Sequence, residues 1–395
     1  MGILGVIAFV VALLFSVMVH EFGHYITAKR YGMKVTEFFL GFGQRIWSTT
    51  RGETEFGIKV IPAGGYCKIV GMSPREELAP EDSDRAFYKA SSKRRLVVLG
   101  AGSFNHFVLG IFLLFVLIAG IGTSQILPTV EETLPCIRTT ETVCLATSAP
   151  SPAKVAGILA DDQIVGINGK ENLKWSEIVP IIRQSSGKEI TLSILRNGEK
   201  LAIAVTPVQI TSDGKSWGII GVRNKVGLVR ENPISASKVS LLITKDLVVG
   251  SVKALVSLPT QIPSIVRQTF GGEARNANGL VGIVGVARVS AQTASSGALT
   301  LPEKIASFVL IVASLNIFIG IFNLLPILPL DGGHMAIAIV EGLRRKIALA
   351  RGKLDPGPID VERLTPITML VFVLLAALTL LLLAADIFNP ISLGL

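Results

Sequence analysis

The sequence predicts a polytopic α-helical membrane protein: four transmembrane helices, one inserted α/β domain and a cytoplasmic, membrane-associated β-hairpin. Three observations carry this. Hydrophobic residues make up 50% of the 395-residue chain and charged residues only 17%, too little polar surface to cover a set of soluble cores. Residues 2–28, 96–122, 305–330 and 366–385 are each apolar over the roughly 20 residues that a helix needs to cross a bilayer. Between the second and third stretches lies a long region of ordinary polarity with strand, turn and helix patterns.

Residues 1–28 form the first span. It lacks a basic start and a small-x-small cleavage site, so it is expected to remain in the mature chain. Residues 29–95 are rich in Lys and Arg, with Lys29, Arg30, Lys93, Arg94 and Arg95 beside the spans, which makes this loop cytoplasmic. Within it, residues 55–71 give two strand-like runs around Pro62-Ala63-Gly64-Gly65, a hairpin signal.

Residues 96–122 are the second span and 123–225 an extracytoplasmic region. In 226–304, the apolar stretch 239–258 is interrupted by Lys245, Asp246 and Lys253 near one helical face. It reads as an interfacial amphipathic helix followed by a linker, with a fifth span as the alternative. Residues 305–330 are the third span, 331–365 a basic cytoplasmic loop and 366–386 the fourth span. No basic group follows Asp386, so both termini are expected outside.

The net charge of +9 is scattered, with no basic run interleaved with aromatics, so nucleic acid is not an expected partner. The lipid bilayer is. Three cysteines without CxxC spacing exclude a cysteine zinc finger. Cys136 and Cys144 fall on the side read as oxidising, where a short disulfide is expected, and Cys67 on the reducing side.

The chemistry is concentrated in His20-Glu21-Phe22-Gly23-His24, at the end of the first span. Residues i and i+4 share a helical face, so both imidazoles can reach one Zn2+ while Glu21 stands beside the metal-bound water. Ionisable groups in a membrane helix are costly and mark function. A catalytic zinc needs a third protein ligand. The third span runs in the same direction as the first and delivers Asp331 to the same side; His334 is the rival.

HEFGH in a first span, with Asn323-Leu-Leu-Pro-Ile-Leu-Pro-Leu-Asp331-Gly-Gly-His334 after a third, resembles the site-2 protease family of intramembrane zinc metalloproteases. The inserted domain makes the chain similar to the bacterial regulator-of-sigma-E protease type with one PDZ domain. The likeness continues through Gly41-Phe-Gly43, the segment from Ile61 to Tyr66, Gly71-Met72, and the segment from Asn278 to Ile283. It implies that His20, His24 and Asp331 bind zinc and that Glu21 is the general base. It further implies multi-pass residence in the bacterial plasma membrane, an active site near the cytoplasmic side, and as substrates single-span proteins such as trimmed anti-sigma factors or remnant signal peptides.

Where the family often reads Ala-Gly-Pro-x-x-Asn, this chain has Ala101-Gly102-Ser103-Phe104-Asn105-His106. His106 is either a group beside the zinc ligands or a polar contact between helices. Asn316 and Asn323, seven residues apart, share a helix face and are expected either to hydrogen-bond an unwound substrate or to tie helices together, and Gly64, Gly65 and Tyr66 of the hairpin are expected to handle substrate through β-augmentation. Residues 148–207 look like a PDZ domain, which would accept a peptide C-terminus near residues 164–167. The rival readings are a non-catalytic PDZ-containing membrane adaptor, a pseudoprotease, and a transporter, whose polar groups would be spread across facing helices at the midplane.

Overall fold

The computed structural model describes residues 1–137, 144, 147–212, 214–275 and 279–391. The chain divides into two compact units: Met1–Ile121 with Glu231–Leu395, and Gly122–Arg230.

The first unit opens with α1 (Gly2–Arg30), which carries no proline and ends with Lys29 and Arg30 against its negative dipole end. Then come β1 (Val35–Arg51) and β2 (Thr54–Ile69). The expected hairpin exists, but its turn is elsewhere. The chain reverses at Gly52 (φ +64°) and Glu53, whereas Pro62 to Gly65 lie inside β2. β1 is the partner the sequence reading missed, although its Val35-Thr-Glu-Phe-Phe-Leu run is rich in strand formers.

The register shows a ribbon folded over itself. Phe38 pairs with both Cys67 and Phe56, and Phe56 pairs also with Thr49. Four short segments result, in the order 65–69, 35–40, 55–58, 47–51. The fold-over occurs at Gly41 and Gly43, both at positive φ, where a Cβ on Gly41 would meet the Ile61 carbonyl oxygen at 2.8 Å. Glu53 fastens the tip by pairing with Lys29 and by a two-pronged contact with Arg85 at 2.6 and 2.7 Å. Next is α2 (Ser92–Phe115), capped by Ser91 and continued by a π-helical turn over Val116–Ile121.

The second unit comprises β3 (Thr123–Thr133), α3 (Pro152–Val155), β4 (Gln163–Ile167), β5 (Lys170–Glu171), α4 (Trp175–Gln184), β6 (Ile190–Arg196), β7 (Glu199–Val205), β8 (Val208–Ser212), β9 (Lys215–Ile219) and β10 (Val222–Val229). The main sheet is antiparallel in the order β10-β3-β4-β6-β7. Asn197 and Gly198, both at positive φ, make the tight turn the sequence predicts. The core is aliphatic, built on Ile158, Ile164, Ile167, Ile178, Ile190, Leu192 and Ile194. Ile164 and Ile167 point into that core, so their side chains do not face a peptide. An open groove of about 690 Å³ lies instead between β3 and α4, lined by Ile126, Leu127, Pro128, Trp175, Val179 and Arg183. β3 and β10 lie outside the 148–207 stretch yet belong to the same sheet. Cys136 and Cys144 form a disulfide.

The first unit resumes with α5 (Pro233–Phe270), α6 (Ile283–Ser295), α7 (Leu301–Asn323), α8 (Asp331–Ala350) and α9 (Thr365–Phe388). Among the described residues, four helices are long and apolar enough to cross a membrane: Gly2–Arg30, Ser92–Ile121, Leu301–Asn323 and Val361–Phe388. The stretch 239–258 is only the middle of the 38-residue α5. One side of α5, including Ile243, Leu247, Val248 and Leu255, packs on Leu114 of α2 and on Ala313, Ile317 and Ile321 of α7, with Lys245, Asp246 and Lys253 exposed. The expected linker contains α6.

The third span also ends earlier than expected. α7 stops at Asn323, because Pro326 and Pro329 cannot donate to a continuing helix. Asp331 then opens α8 inside what reads from sequence as a loop.

Candidate metal centre

Ser16, His20, Gly23 and His24 fall at i, i+4, i+7 and i+8 on the buried face of α1. The face meets α2 at two glycines. A Cβ on Gly23 would stand 2.5 Å from the Ala101 carbonyl oxygen, and one on Gly102 2.5 Å from His20 Cε1 and 2.6 Å from His24 Nε2. Only glycine lets the imidazoles lie directly on the α2 backbone.

His24 Nδ1 lies 2.8 Å from the carbonyl oxygen of Val98. A carbonyl only accepts, so Nδ1 carries the proton and Nε2 presents a lone pair. That Nε2 is 3.0 Å from Nε2 of His20. Asp331 Oδ2 closes a triangle, 3.2 Å from His20 Nε2 and 3.3 Å from His24 Nε2. Although buried, this oxygen has no oriented hydrogen bond among the described residues. Ligand atoms 2.0–2.1 Å from a tetrahedral Zn2+ stand about 3.3 Å apart, so the triangle fits that ion. Among the described residues, His20, His24 and Asp331 are the group close enough to share a metal; His334, one turn along α8, does not join it.

Asp331 reaches the histidines because Leu324 to Leu330 fold back over the first turn of α8. A Cβ on Gly332 would collide with the carbonyls of Leu324 and Leu325, and one on Gly333 would lie 2.5 Å from the Leu328 nitrogen. Glu21 stands outside the triangle, half-buried, with the Cys67 backbone N–H directed at its carboxylate. The 65–69 segment of the hairpin therefore runs past the centre.

His106 lies with its ring centroid 5.0 Å from that of His20. Its Nδ1 is 2.8 Å from Asn316 Oδ1, and Asn316 Nδ2 donates to Ser16 Oγ at 3.0 Å and to the Val312 carbonyl at 2.8 Å. Asn316 is fully buried with its amide committed, so of its two readings the structure favours the tie between helices over a substrate contact: it joins α7 to α1 and α2. Asn323 ends α7 half-buried. Tyr66 is committed as well: its hydroxyl donates to Glu37 and accepts from Lys59 at 2.6 Å, and its ring stacks on Phe39 and Phe42. Gly65 approaches α1, where a Cβ would stand 2.9 Å from Met18 Sδ, and a Cβ on Gly64 would lie 3.2 Å from the Phe42 ring. Asn278, part of the last motif, lies outside the described residues. Sequence reasoning missed Gly102 and the Val98 carbonyl. The Gly100-Ala-Gly102 run in an apolar helix was a usable signal for the former, and the latter, a backbone group, left none.

Comparison with known proteins agrees with this geometry. The family model described as peptidase family M50 matches residues 8–354. The chain is 35% identical to zinc metalloprotease Rip1 of Mycobacterium tuberculosis over 418 aligned positions, covering 100% of this chain and 99% of the relative. Rip1 of Mycolicibacterium smegmatis is likewise 35% identical, with 98% of each chain covered. A putative zinc metalloprotease of Helicobacter pylori is 30% identical over 85% of this chain and 89% of its own. The chain thus belongs to peptidase family M50, the site-2 proteases, and is a zinc metalloprotease.

Proposed function

We propose that this protein is an intramembrane endopeptidase of the bacterial plasma membrane that cuts single-span membrane proteins within or beside their transmembrane helix. The observation that carries the reading is the buried triangle of lone-pair atoms on His20, His24 and Asp331, beside Glu21 at the end of an apolar helix. His20 and His24 through Nε2, and Asp331 through Oδ2, would hold the ion. Zn2+ in such a site supplies Lewis acidity, which polarises a peptide carbonyl and acidifies water. Glu21 accepts a proton from the attacking water and returns it to the leaving amine nitrogen, ending ionised as it began. The Val98 carbonyl keeps His24 in the required tautomer, and His106, held by Asn316, buttresses the His20 ring.

A helical substrate hides its carbonyls in i to i+4 hydrogen bonds and must unwind before cleavage. The 65–69 segment, paired on one side with 35–40, offers its other edge to such an extended stretch, with Asn323 as the amide left for the substrate backbone. The Gly122–Arg230 unit reads as a PDZ domain whose peptide C-terminus site is the β3–α4 groove. By the charge of the flanking loops, that domain and both termini are extracytoplasmic and the metal centre lies near the cytoplasmic side. Trimmed anti-sigma factors or remnant signal peptides suit a site of this kind.

The test is Glu21→Gln in purified protein acting on a tagged single-span substrate: cleavage disappears while zinc content stays at the wild-type level. Near-normal turnover by this variant would refute the assignment, and a wild-type protein that neither holds zinc nor cleaves would favour the adaptor reading.

A further inference from the structure

Asp331 stands at one end of α8, and the strongest polar contact of that helix lies ten residues away at Glu341, about 15 Å along the axis. α8 runs antiparallel to α2. The contacts descend α2 as they climb α8: a Cβ on Gly100 would touch Met335 Cε at 3.7 Å, Arg95 pairs with Glu341, and a Cβ on Gly342 would meet Ser92 Oγ at 3.1 Å. The upper end of this seam is Gly102, on whose backbone the two imidazoles rest.

Apart from the ion pair, the seam is built of small or adaptable residues. Met335 is flexible and Ala338 is a methyl group, while Gly342 fits closely against Ser92, whose Oγ a Cβ would meet at 3.1 Å. The ion pair is different. The side chains of Arg95 and Glu341 are only 7% and 9% exposed, and they form a hydrogen-bonded pair. Arg95 also lies over the Phe87 ring at 5.1 Å, and the second Glu341 oxygen accepts the Ile359 N–H at 2.6 Å. An apolar pair of equal volume would stabilise such a seam as well or better, because burying two charges is costly. What the ion pair adds is a unique register, since any slip leaves two opposite charges unpaired in apolar surroundings. A slip of one residue, about 1.5 Å, would carry Asp331 Oδ2 out of the triangle.

We propose that Arg95 and Glu341 are positioning residues for the metal centre: their buried pair sets the register of α8 on α2 and thereby holds Asp331 opposite His20 and His24. The proposal rests on the zinc reading above. The experiment measures zinc affinity by chelator competition in detergent-solubilised full-length protein, and the visible spectrum of the Co2+ form. It compares Glu341→Gln, Arg95→Lys and the exchange Arg95→Glu/Glu341→Arg, each with Asp331 intact and with Asp331→Ala.

With Asp331 intact, Glu341→Gln weakens zinc binding by about 10- to 100-fold, the range seen when groups that orient ligands are lost, and alters the Co2+ spectrum. In the Asp331→Ala background it adds no further loss, because the ligand it aims is gone. The charge exchange recovers affinity. Arg95→Lys, which keeps the charge, serves where Glu341→Gln does not fold, and its loss should likewise vanish without Asp331. Wild-type affinity and spectrum in the single variants overturn the proposal, as does an equal loss in both backgrounds, which is the mark of general loosening. Asp331→Ala with wild-type zinc affinity would instead overturn the zinc reading itself and the proposal with it.

Discussion

Gly102→Ala is the sharpest probe of the centre. The added methyl would lie 2.5 Å from His20 Cε1, 2.6 Å from His24 Nε2 and 2.7 Å from His20 Nδ1, whereas carbon makes relaxed contact at about 3.5–4.0 Å. Both imidazoles must therefore retreat by about 1 Å from α2. His24 cannot do so and keep its 2.8 Å bond to the Val98 carbonyl, because that carbonyl belongs to the same helix. Overpacking of this kind costs about 1–3 kcal/mol, and a displacement of about 1 Å in a catalytic group costs on the order of 100-fold in rate.

The control is two residues away. A methyl on Gly100 meets only Met335 Cε at 3.7 Å, an ordinary contact. Both changes improve helix propensity by about 1 kcal/mol, so propensity cancels in the comparison. Zinc content by atomic absorption, thermal unfolding and cleavage of a single-span substrate separate the two. Gly100→Ala should be neutral or slightly more stable and fully active. Gly102→Ala should lose zinc affinity and at least about 99% of its activity. Stoichiometric zinc and near-normal turnover in Gly102→Ala would refute the geometry from which the site is argued.

Burial, reinforced by the Glu21 charge, pushes the Cys67 thiol up to about 12, so at pH 8 native protein should react with maleimide roughly a thousandfold more slowly than an unperturbed thiol, with the rate still climbing past pH 10; fast labelling at pH 8 would contradict the packing of the 65–69 segment on α1. Asn316→Ala strands the buried His106 and Ser16, and should lower thermal stability by about 1–3 kcal/mol, whereas Asn323→Ala should raise KM with stability unchanged. Replacing Gly122–Arg230 by a short linker should admit substrates with folded ectodomains while trimmed ones remain cleavable; an unchanged preference would locate selection outside this unit.

The sequence was most legible where one local rule decides. Four apolar runs became the four candidate spans, HExxH fixed two imidazoles on one helix face, and Asn197-Gly198 fixed a hairpin. It was least legible where distant segments decide. Pro62-Ala-Gly-Gly65 reads as a turn, yet the ribbon folds over on itself, with Gly65 close against α1 and Gly64 against the Phe42 ring instead. For Asn316 the sequence leaves a substrate contact and a tie between helices both open, because periodicity shows which face it shares, not that Ser16 and His106 arrive there from two other helices. The run from Leu324 to Asp331 reads as the end of a span, and only the contact of its carbonyls with Gly332 shows that α8 starts anew.

The buried polar groups of the helical unit follow one logic. In an apolar bundle, helices of similar hydrophobicity gain little by choosing one register over another, since lipid and neighbour are equally apolar. Polar pairs supply the choice. Asn316 joins α7 to α1 and α2, Arg95 with Glu341 joins α8 to α2, and Arg275, 3.3 Å from Asp386, joins the segment before α6 to α9, where Asp386 also accepts the Gly285 N–H at 2.8 Å. The first two converge on the elements that carry His20, His24 and Asp331; the third lies on α9, which carries none of them. Breaking the Arg275–Asp386 pair should therefore loosen α9 and lower thermal stability while leaving zinc affinity intact, whereas breaking either of the others should reach the metal. A loss of zinc on Asp386→Asn comparable to that on Glu341→Gln would mean that the bundle responds as a whole, and that register is not set pair by pair.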